Sequence, residues 1–340
     1  MVAALTGLAT ALPRRMEQRG LWDGYFAHHY AGVPAAERIF TGAGVQTRQA
    51  VVDPRVEDVS GWGTGRRMRR YAAEALPLGT AAVSKALADA GLAPADLGLL
   101  AVASCTGYTS PGLDVMLARD LALPADVQRL VIGHMGCYAA IPGLGAVADY
   151  VNSRGRPAVL LCVELTSLHL QPPPAQLDQV VTHALFADAA AAVVVRPGAE
   201  PGYAVRDVVA RTYPETAGYM TWDVTDHGFR MGLSPRVPAV LAKHVREAVT
   251  GLLGRHGLTL SDVDGWAVHP GGPRILDVVA GRLDLAPGAM AESRAVLREH
   301  GNCSSPTVLL VLDRIRRREA RTVVLLAFGP GLTLYAALLT

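Results

Sequence analysis

The chain repeats itself. The segment ADAGLAPADLGLLAVAS, starting at Ala88, aligns without a gap on GRHGLTLSDVDGWAVHP, starting at Gly254, so that Gly91 falls on Gly257, 166 residues later. RPAVLLCVE from Arg156 aligns on RTVVLLAFG from Arg321, 165 residues later, and between these anchors HMGCYAA aligns on EHGNCSS, which sets Cys137 against Asn302. Three matches in one order describe a duplicated helix–strand–helix–strand unit. The halves divide near Pro197 to Pro201, into residues 1–197 carrying Cys137 and 198–340 carrying His269 and Asn302. Alternating helices and strands predict an α/β fold with a mostly parallel sheet, helices on both faces and the two copies stacked.

With 340 residues, half of them hydrophobic, the chain can bury a large core, and a net charge of +2 gives no reason to expect a nucleic-acid partner. The N-terminal run MVAALTGLATALPRR has no positive residue before its apolar part and reads as a first core strand, not a signal peptide. No other apolar run is long enough to span a bilayer. Cys105, Cys137, Cys162 and Cys303 lack C-x-x-C spacing, which argues against zinc and against a disulfide framework and points to a reducing cytoplasm. His134, His183, His227, His244 and His256 show no metal-ligand spacing and read as surface or satisfied core residues.

Residues 14–75 are irregular and Arg-rich, and read as a surface insertion with helices from Leu21 to Tyr30 and from Ala35 towards Gly42. Arg66 to Arg70 reads as a solvated helix face or a salt-bridged one. A helical pattern follows from Pro77 to Ala90, then a strand from Leu97 to Ala103.

The run Arg129 to Gly133 reads as a strand, and Ile141, Leu144, Val147, Ala148 and Val151 recur at helical spacing. Cys137 lies where the one hands over to the other. Free N–H groups at a helix start favour a thiolate and predict a lowered thiol pKa. A lone cysteine before a helix is more often a structural core residue. The duplication shifts that balance, because it brings the equivalent turns of Cys137 and Asn302 to one site beyond the strand ends, with His269 following the strand GWAV. A cysteine can take an acyl group as a thioester. Imidazole and amide donors facing it suit the enolate formed when a malonyl thioester loses carbon dioxide.

Cys137 in GHMGCYAAIPGL, His269 in WAVHPGGPRILD, Asn302 in HGNCSSPTVLLVLD and the closing FGPGLTLYAALL resemble the type III polyketide synthases, the chalcone and stilbene synthase family, from about Arg38 to the C-terminus. The initiating ketoacyl synthases share a Cys–His–Asn set, but HPGGPRILD and FGPGLT resemble the polyketide enzymes more closely. The resemblance implies a homodimeric enzyme of the thiolase fold, a duplicated αβαβα layered architecture. It would load an acyl-CoA starter on Cys137, decarboxylate malonyl-CoA at His269 and Asn302 and cyclise the product, with no metal or organic redox cofactor.

The resemblance also implies substrate-binding positions. Phe186 and Phe229 match the aromatic pair between the CoA tunnel and the reaction cavity; Cys105, Thr106, Thr166, His169, Met220 and Ser304 match cavity-lining residues. Glu164 would hold ordered water for cyclisation, or be a paired structural carboxylate. His169 stands where the plant enzymes carry threonine, Met220 where they carry glycine, and Ser110 where a methionine reaches the partner subunit, so a chalcone-type starter is not implied. Arg38 matches a CoA-phosphate ligand without its usual flanking lysines; Arg274 or the Arg66 to Arg70 cluster would supply replacement charge, and an acyl carrier protein is the alternative donor. Two rivals stand beside this reading: a single-condensation ketoacyl synthase or acyltransferase on the same fold, and a non-catalytic subunit that binds acyl-CoA or a partner.

Overall fold

The computed structural model describes residues 2–173, 176–198 and 202–340. In chain order, β1 (Ala3–Ala11) and β2 (Arg14–Glu17) lead into one helical segment formed by α1 (Gln18–Leu21), a π-helical stretch (Trp22–Phe26) and α2 (Ala27–His29), and then into α3 (Ala36–Thr41) and β3 (Thr47–Ala50). With β1, the first repeat comprises α4 (Thr64–Asp89), β4 (Leu99–Ser104), α5 (Leu113–Asp120), β5 (Gln128–Gly133), α6 (Ala140–Arg154), β6 (Ala158–Leu165), α7 (Leu177–Leu185) and β7 (Asp188–Pro197). The second comprises β8 (Tyr203–Thr212), β9 (Met220–Thr225), β10 (Gly228–Leu233), α8 (Val237–Gly254), β11 (Gly265–Val268), α9 (Pro273–Leu283), α10 (Ala291–His300), α11 (Pro306–Arg316), β12 (Val323–Gly329) and β13 (Thr333–Leu339). Of the expected boundary, Pro197 ends β7, whereas residues 199–201 lie outside the described residues.

Nine strands run in the order β11-β12-β13-β8-β1-β7-β6-β4-β5, and the halves meet where Ala4 and Leu5 of β1 pair with Ala204 and Tyr203 of β8. Within each half the same sequence of neighbours recurs, β1-β7-β6-β4 matching β8-β13-β12-β11. The duplicated strands show how this becomes layers. Side chains alternate across a strand, so Leu160 in β6 and Leu325 in β12 join one core with Ile141 and Leu144 of α6 and Val308 and Val311 of α11. Their neighbours Leu161 and Leu326 face outwards, the first onto Val83 and Leu87 of α4, the second onto Val245 and Leu252 of α8. Residues 165 apart thus occupy equivalent layers, and the expected five-layer order follows, with α6 and α11 sandwiched between the two halves of the sheet. Truncating Leu144 to Ala in that central layer would cost about 2–5 kcal/mol.

Three expectations need correction. The sheet is mixed: β4 pairs parallel with β5 and β6, and β11 with β12, but β1, β7, β8 and β13 all pair antiparallel, because each repeat closes with a strand that returns beside its predecessor. Residues 14–75 are not a surface insertion, since Trp22, Phe26, Tyr30 and Phe40 are buried in the core that also holds α4. Finally, α4 begins at Thr64 and carries Pro77 inside it; in the Arg66 to Arg70 cluster on this helix Arg66 and Arg69 are exposed and Arg70 pairs with Glu57 and Glu74, as expected, but Arg67 is wholly buried. Arg67 donates to Trp62 O at 2.8 Å, Ser60 O at 2.9 Å, Leu170 O at 3.0 Å and to Leu168 O. Backbone carbonyls thereby replace the water that Arg67 was expected to face. Among the described residues no helix is long and apolar enough to cross a membrane.

Candidate active site

Two turns build the site. Gly136 precedes Cys137 at φ 71°, and Gly301 precedes Asn302 at φ 71°, each where the chain bends towards a central-layer helix. Only glycine enters this left-handed region without steric cost. Space forbids a side chain as well: a β-carbon on Gly301 would stand 2.8 Å from Leu185 O. Cys137 occupies a short 3₁₀ turn between β5 and α6, and Pro142 falls in the first turn of α6, as the sequence implies. His269 leaves the end of β11, held by its N–H to Leu326 O at 2.8 Å on the neighbouring strand.

Cys137, His269 and Asn302 line one cavity of about 830 Å³ together with Phe186, Met220 and Phe328, while Arg38 and Arg274, both exposed, lie on the same cavity. The Asn302 side-chain oxygen accepts the Ser304 N–H at 2.9 Å. That bond orients the amide, because an oxygen and not an NH₂ must face an N–H donor; the NH₂ remains to donate into the cavity. His269 is buried, and both its ring nitrogens lack a hydrogen-bond partner among the described residues. A buried imidazole with two orphaned nitrogens is costly unless a substrate meets it. Its ring edge rests against Phe328, 5.8 Å between centroids at 75°.

Burial governs the ionisation of the pair. It pushes the Cys137 thiol up to about 12, only partly opposed by hydrogen bonding from Ser304 and Asn302, and it pushes the His269 imidazolium down to about 3. The lowered thiol expected from the helix start is therefore overturned, since loss of water around the sulfur outweighs the local dipole. A thiolate here needs imidazolium beside it, both charges forming together.

The remaining expected positions divide. Phe186 and Met231 line both the main cavity and a smaller one of about 60 Å³, which is also lined by Thr166, His169 and Phe229. His169 does not open onto the main cavity: Nε2 donates to Thr106 O at 2.7 Å, Nδ1 accepts the Phe229 N–H at 2.9 Å, and the ring stacks on Phe229 with centroids 4.7 Å apart. Cys105, Thr106 and Ser304 line neither cavity. They surround the buried Glu164, which accepts the Cys105 N–H at 3.0 Å, its thiol at 3.4 Å, Thr106 Oγ1 at 2.8 Å and Ser305 Oγ at 2.9 Å, with Ser304 Oγ 3.9 Å from the Cys105 sulfur. Burial raises the Glu164 pKa against these donors. Phe328, Met231 and Ser305 escaped notice in the sequence; Phe328 alone carried a signal there, standing in the FGPG run.

Residues 51–201 match the N-terminal domain of the chalcone and stilbene synthases, and residues 205–340 match their C-terminal domain. The chain belongs to the chalcone and stilbene synthase family. This synthase is 39% identical over 307 residues to the 1,3,6,8-tetrahydroxynaphthalene synthase of Streptomyces peucetius subsp. caesius, covering 86% of the chain and 80% of that relative. It is 32% identical to the alpha-pyrone synthesis polyketide synthase-like Pks18 of Mycobacterium tuberculosis, covering 98% of the chain and 89% of the relative. Among solved structures it resembles PKS-I from the brown alga Ectocarpus siliculosus, with a TM-score of 0.94, 31% identity and coverage of 99% and 98% of the two chains. The tetrahydroxynaphthalene synthase of Streptomyces coelicolor, a bacterial type III polyketide synthase, superposes with a TM-score of 0.93 at 29% identity, covering 99% and 98%.

Proposed function

We propose that the synthase condenses an acyl-CoA starter with malonyl-CoA extenders. The Cys137 thiol passes its proton to His269 as sulfur attacks the starter carbonyl; a thioester forms, and CoA leaves as the thiol with that proton. Malonyl-CoA then loses carbon dioxide, and the electron pair of the broken bond becomes an enolate whose oxygen is held by His269 and the Asn302 amide. The enolate carbon attacks the thioester on Cys137, releasing the sulfur and giving a β-ketoacyl-CoA longer by two carbons, which reloads for further rounds before cyclisation. The steps balance without an external oxidant or reductant. One observation carries this reading: an amide whose NH₂ is turned to the cysteine side, and an imidazole with no partner among the described residues, share a cavity with Cys137.

Arg38 and Arg274 on that cavity support binding of the donor's phosphates. A homodimer is supported by β5, an edge strand that leaves Leu130 and Val131 exposed. Four buried free cysteines support a reducing cytoplasm. The test is intact-protein mass spectrometry with a panel of acyl-CoAs and malonyl-CoA, followed by product analysis. A starter-sized mass on Cys137 with released ring products is the expected result. Loading with a single extension and no ring would replace this reading with the single-condensation one, loading only from acyl carrier protein would change the donor, and no loading from either would overturn it.

A further inference from the structure

From Gln46 to Val51 the chain bonds alternately to the two halves of the molecule. The Gln46 N–H donates to Arg298 O at 2.7 Å, Thr47 Oγ1 donates to Glu299 O at 2.7 Å, and Gln49 Oε1 meets His300 Nδ1 at 3.0 Å. All three contacts hold the last turn of α10, which runs directly into Gly301 and Asn302. Arg48, on the opposite face of the strand, donates through Nη1 to His183 O at 2.7 Å and Phe186 O at 2.6 Å, and through Nη2 to Ala184 O. These carbonyls end α7, which runs directly into Phe186. The Val51 N–H then donates to Asp188 Oδ2 at 2.8 Å, just beyond Phe186.

The two ends so held touch each other. Phe186 and Asn302 form an isolated parallel bridge, with the Asn302 N–H on Leu185 O at 2.8 Å and the Ala187 N–H on Asn302 O at 2.9 Å. The pairing joins the aromatic divider between the two cavities to the amide of the main one. Arg48 is only 5% exposed and finds side-chain company in Gln18, not in a hydrogen-bonded carboxylate. A cation at a helix C-terminus is favourable and the Asp188 carboxylate favours its charge, but burying it with no carboxylate hydrogen-bonded to it among the described residues is expensive. An apolar residue would fill the same volume without that cost, and could not bridge the ends of three carbonyl groups.

We propose that β3 is a strap that sets the register of Phe186 against Asn302, with Thr47, Arg48 and Gln49 as positioning residues for the amide that meets the enolate. The proposal rests on the role given above to Asn302. Arg48→Met removes a buried network and can prevent folding, so the decisive variants are the near-isosteric Thr47→Val and Gln49→Leu, with folding checked by thermal melting and Arg48→Lys as the conservative comparison. In each, acyl loading of Cys137 and decarboxylation of malonyl-CoA are measured on the same preparation. The strap predicts loading at the wild-type rate and decarboxylation slower by about tenfold or more, in kcat rather than KM, since small misplacements of a donor weaken catalysis steeply. Wild-type rates for both steps, or an equal loss in both, would overturn it. Asn302→Ala in parallel separates the causes: if it decarboxylates normally, the reading of Asn302 fails; if it is slow while folded strap variants are normal, only the strap fails.

Discussion

The Asn302 side-chain oxygen is committed to the Ser304 N–H, 2.9 Å away, so what Asn302 offers the cavity is a donor. Asn302→Asp removes that donor while keeping the acceptor, and Asn302→Ala removes both. Both variants should load starter at the wild-type rate and decarboxylate malonyl-CoA slower by about a hundredfold or more, the loss typical of one oxyanion donor. Single-turnover loading by mass spectrometry and carbon dioxide release measure the two steps separately. Wild-type decarboxylation by either variant would remove Asn302 from the chemistry.

Burial, with the Glu164 carboxylate adding to it, holds the Cys137 thiol up at about 12, and burial holds the His269 imidazolium down at about 3, so a reactive sulfur near neutral pH depends on the two ionising as a pair. His269→Gln deletes the cation. The thiol then keeps only the Ser304 and Asn302 hydrogen bonds against desolvation, and the midpoint for alkylation of Cys137 by iodoacetamide should move to higher pH. An unchanged midpoint would mean that another group, not His269, supports the thiolate.

Glu164 is wholly buried among hydroxyl, thiol and amide donors, and its raised pKa makes ionisation a burden on the folded state. A carboxyl raised on folding gives its full stabilisation below its unfolded value, about 4.3, and loses it as pH rises towards the folded value. Glu164→Gln has no such loss. Thermal melts across about pH 4 to 8 should therefore show the variant gaining on the wild type as pH rises; a difference that stays constant with pH would show that Glu164 enters the fold already ionised at no cost.

Met220 lines the main cavity, whereas His169 lines the smaller one with both ring nitrogens bonded. Met220→Ala should lengthen or change the released product. His169→Ala should first cost about 1–3 kcal/mol, because the Thr106 carbonyl and the Phe229 N–H are left unpaired. Product profiling beside thermal melts distinguishes them, and an unchanged profile in Met220→Ala would remove that side chain from product control.

Truncating Arg67 tests the largest departure from a solvated reading. Arg67→Met abandons four backbone carbonyls in the interior and should destabilise the fold by about 3–5 kcal/mol. Denaturant unfolding measures it; a change below about 1 kcal/mol, the size seen at open surface positions, would place the guanidinium in water.

What could be read in the chain was what spacing alone encodes. Cys137 and Asn302 sit 165 residues apart behind matching glycines, and His269 follows a short buried strand, so the three turns were legible before any coordinates. Charge misled where burial decided. Arg48 falls in the stretch read as a surface insertion and Arg67 in the cluster read as solvated, yet each is enclosed and answered by carbonyl oxygens from distant segments, which no local pattern announces. The same holds for Cys137, whose helix-start position is visible in sequence while the apolar walls that raise its pKa come from several elements. Strand direction was lost because a buried apolar strand reads alike whether it runs parallel or antiparallel.

Gly136 and Gly301 share a φ of 71° at matching positions of the repeat and differ in the residue that follows. A shorter ancestor carrying this unit once, paired with a second copy of itself, would have presented the same residue twice at a shared centre. Fusion into a single polypeptide breaks that symmetry: one turn can keep sulfur while the other exchanges it for an amide, and the separate roles proposed for Cys137 and Asn302 become available to mutation one at a time.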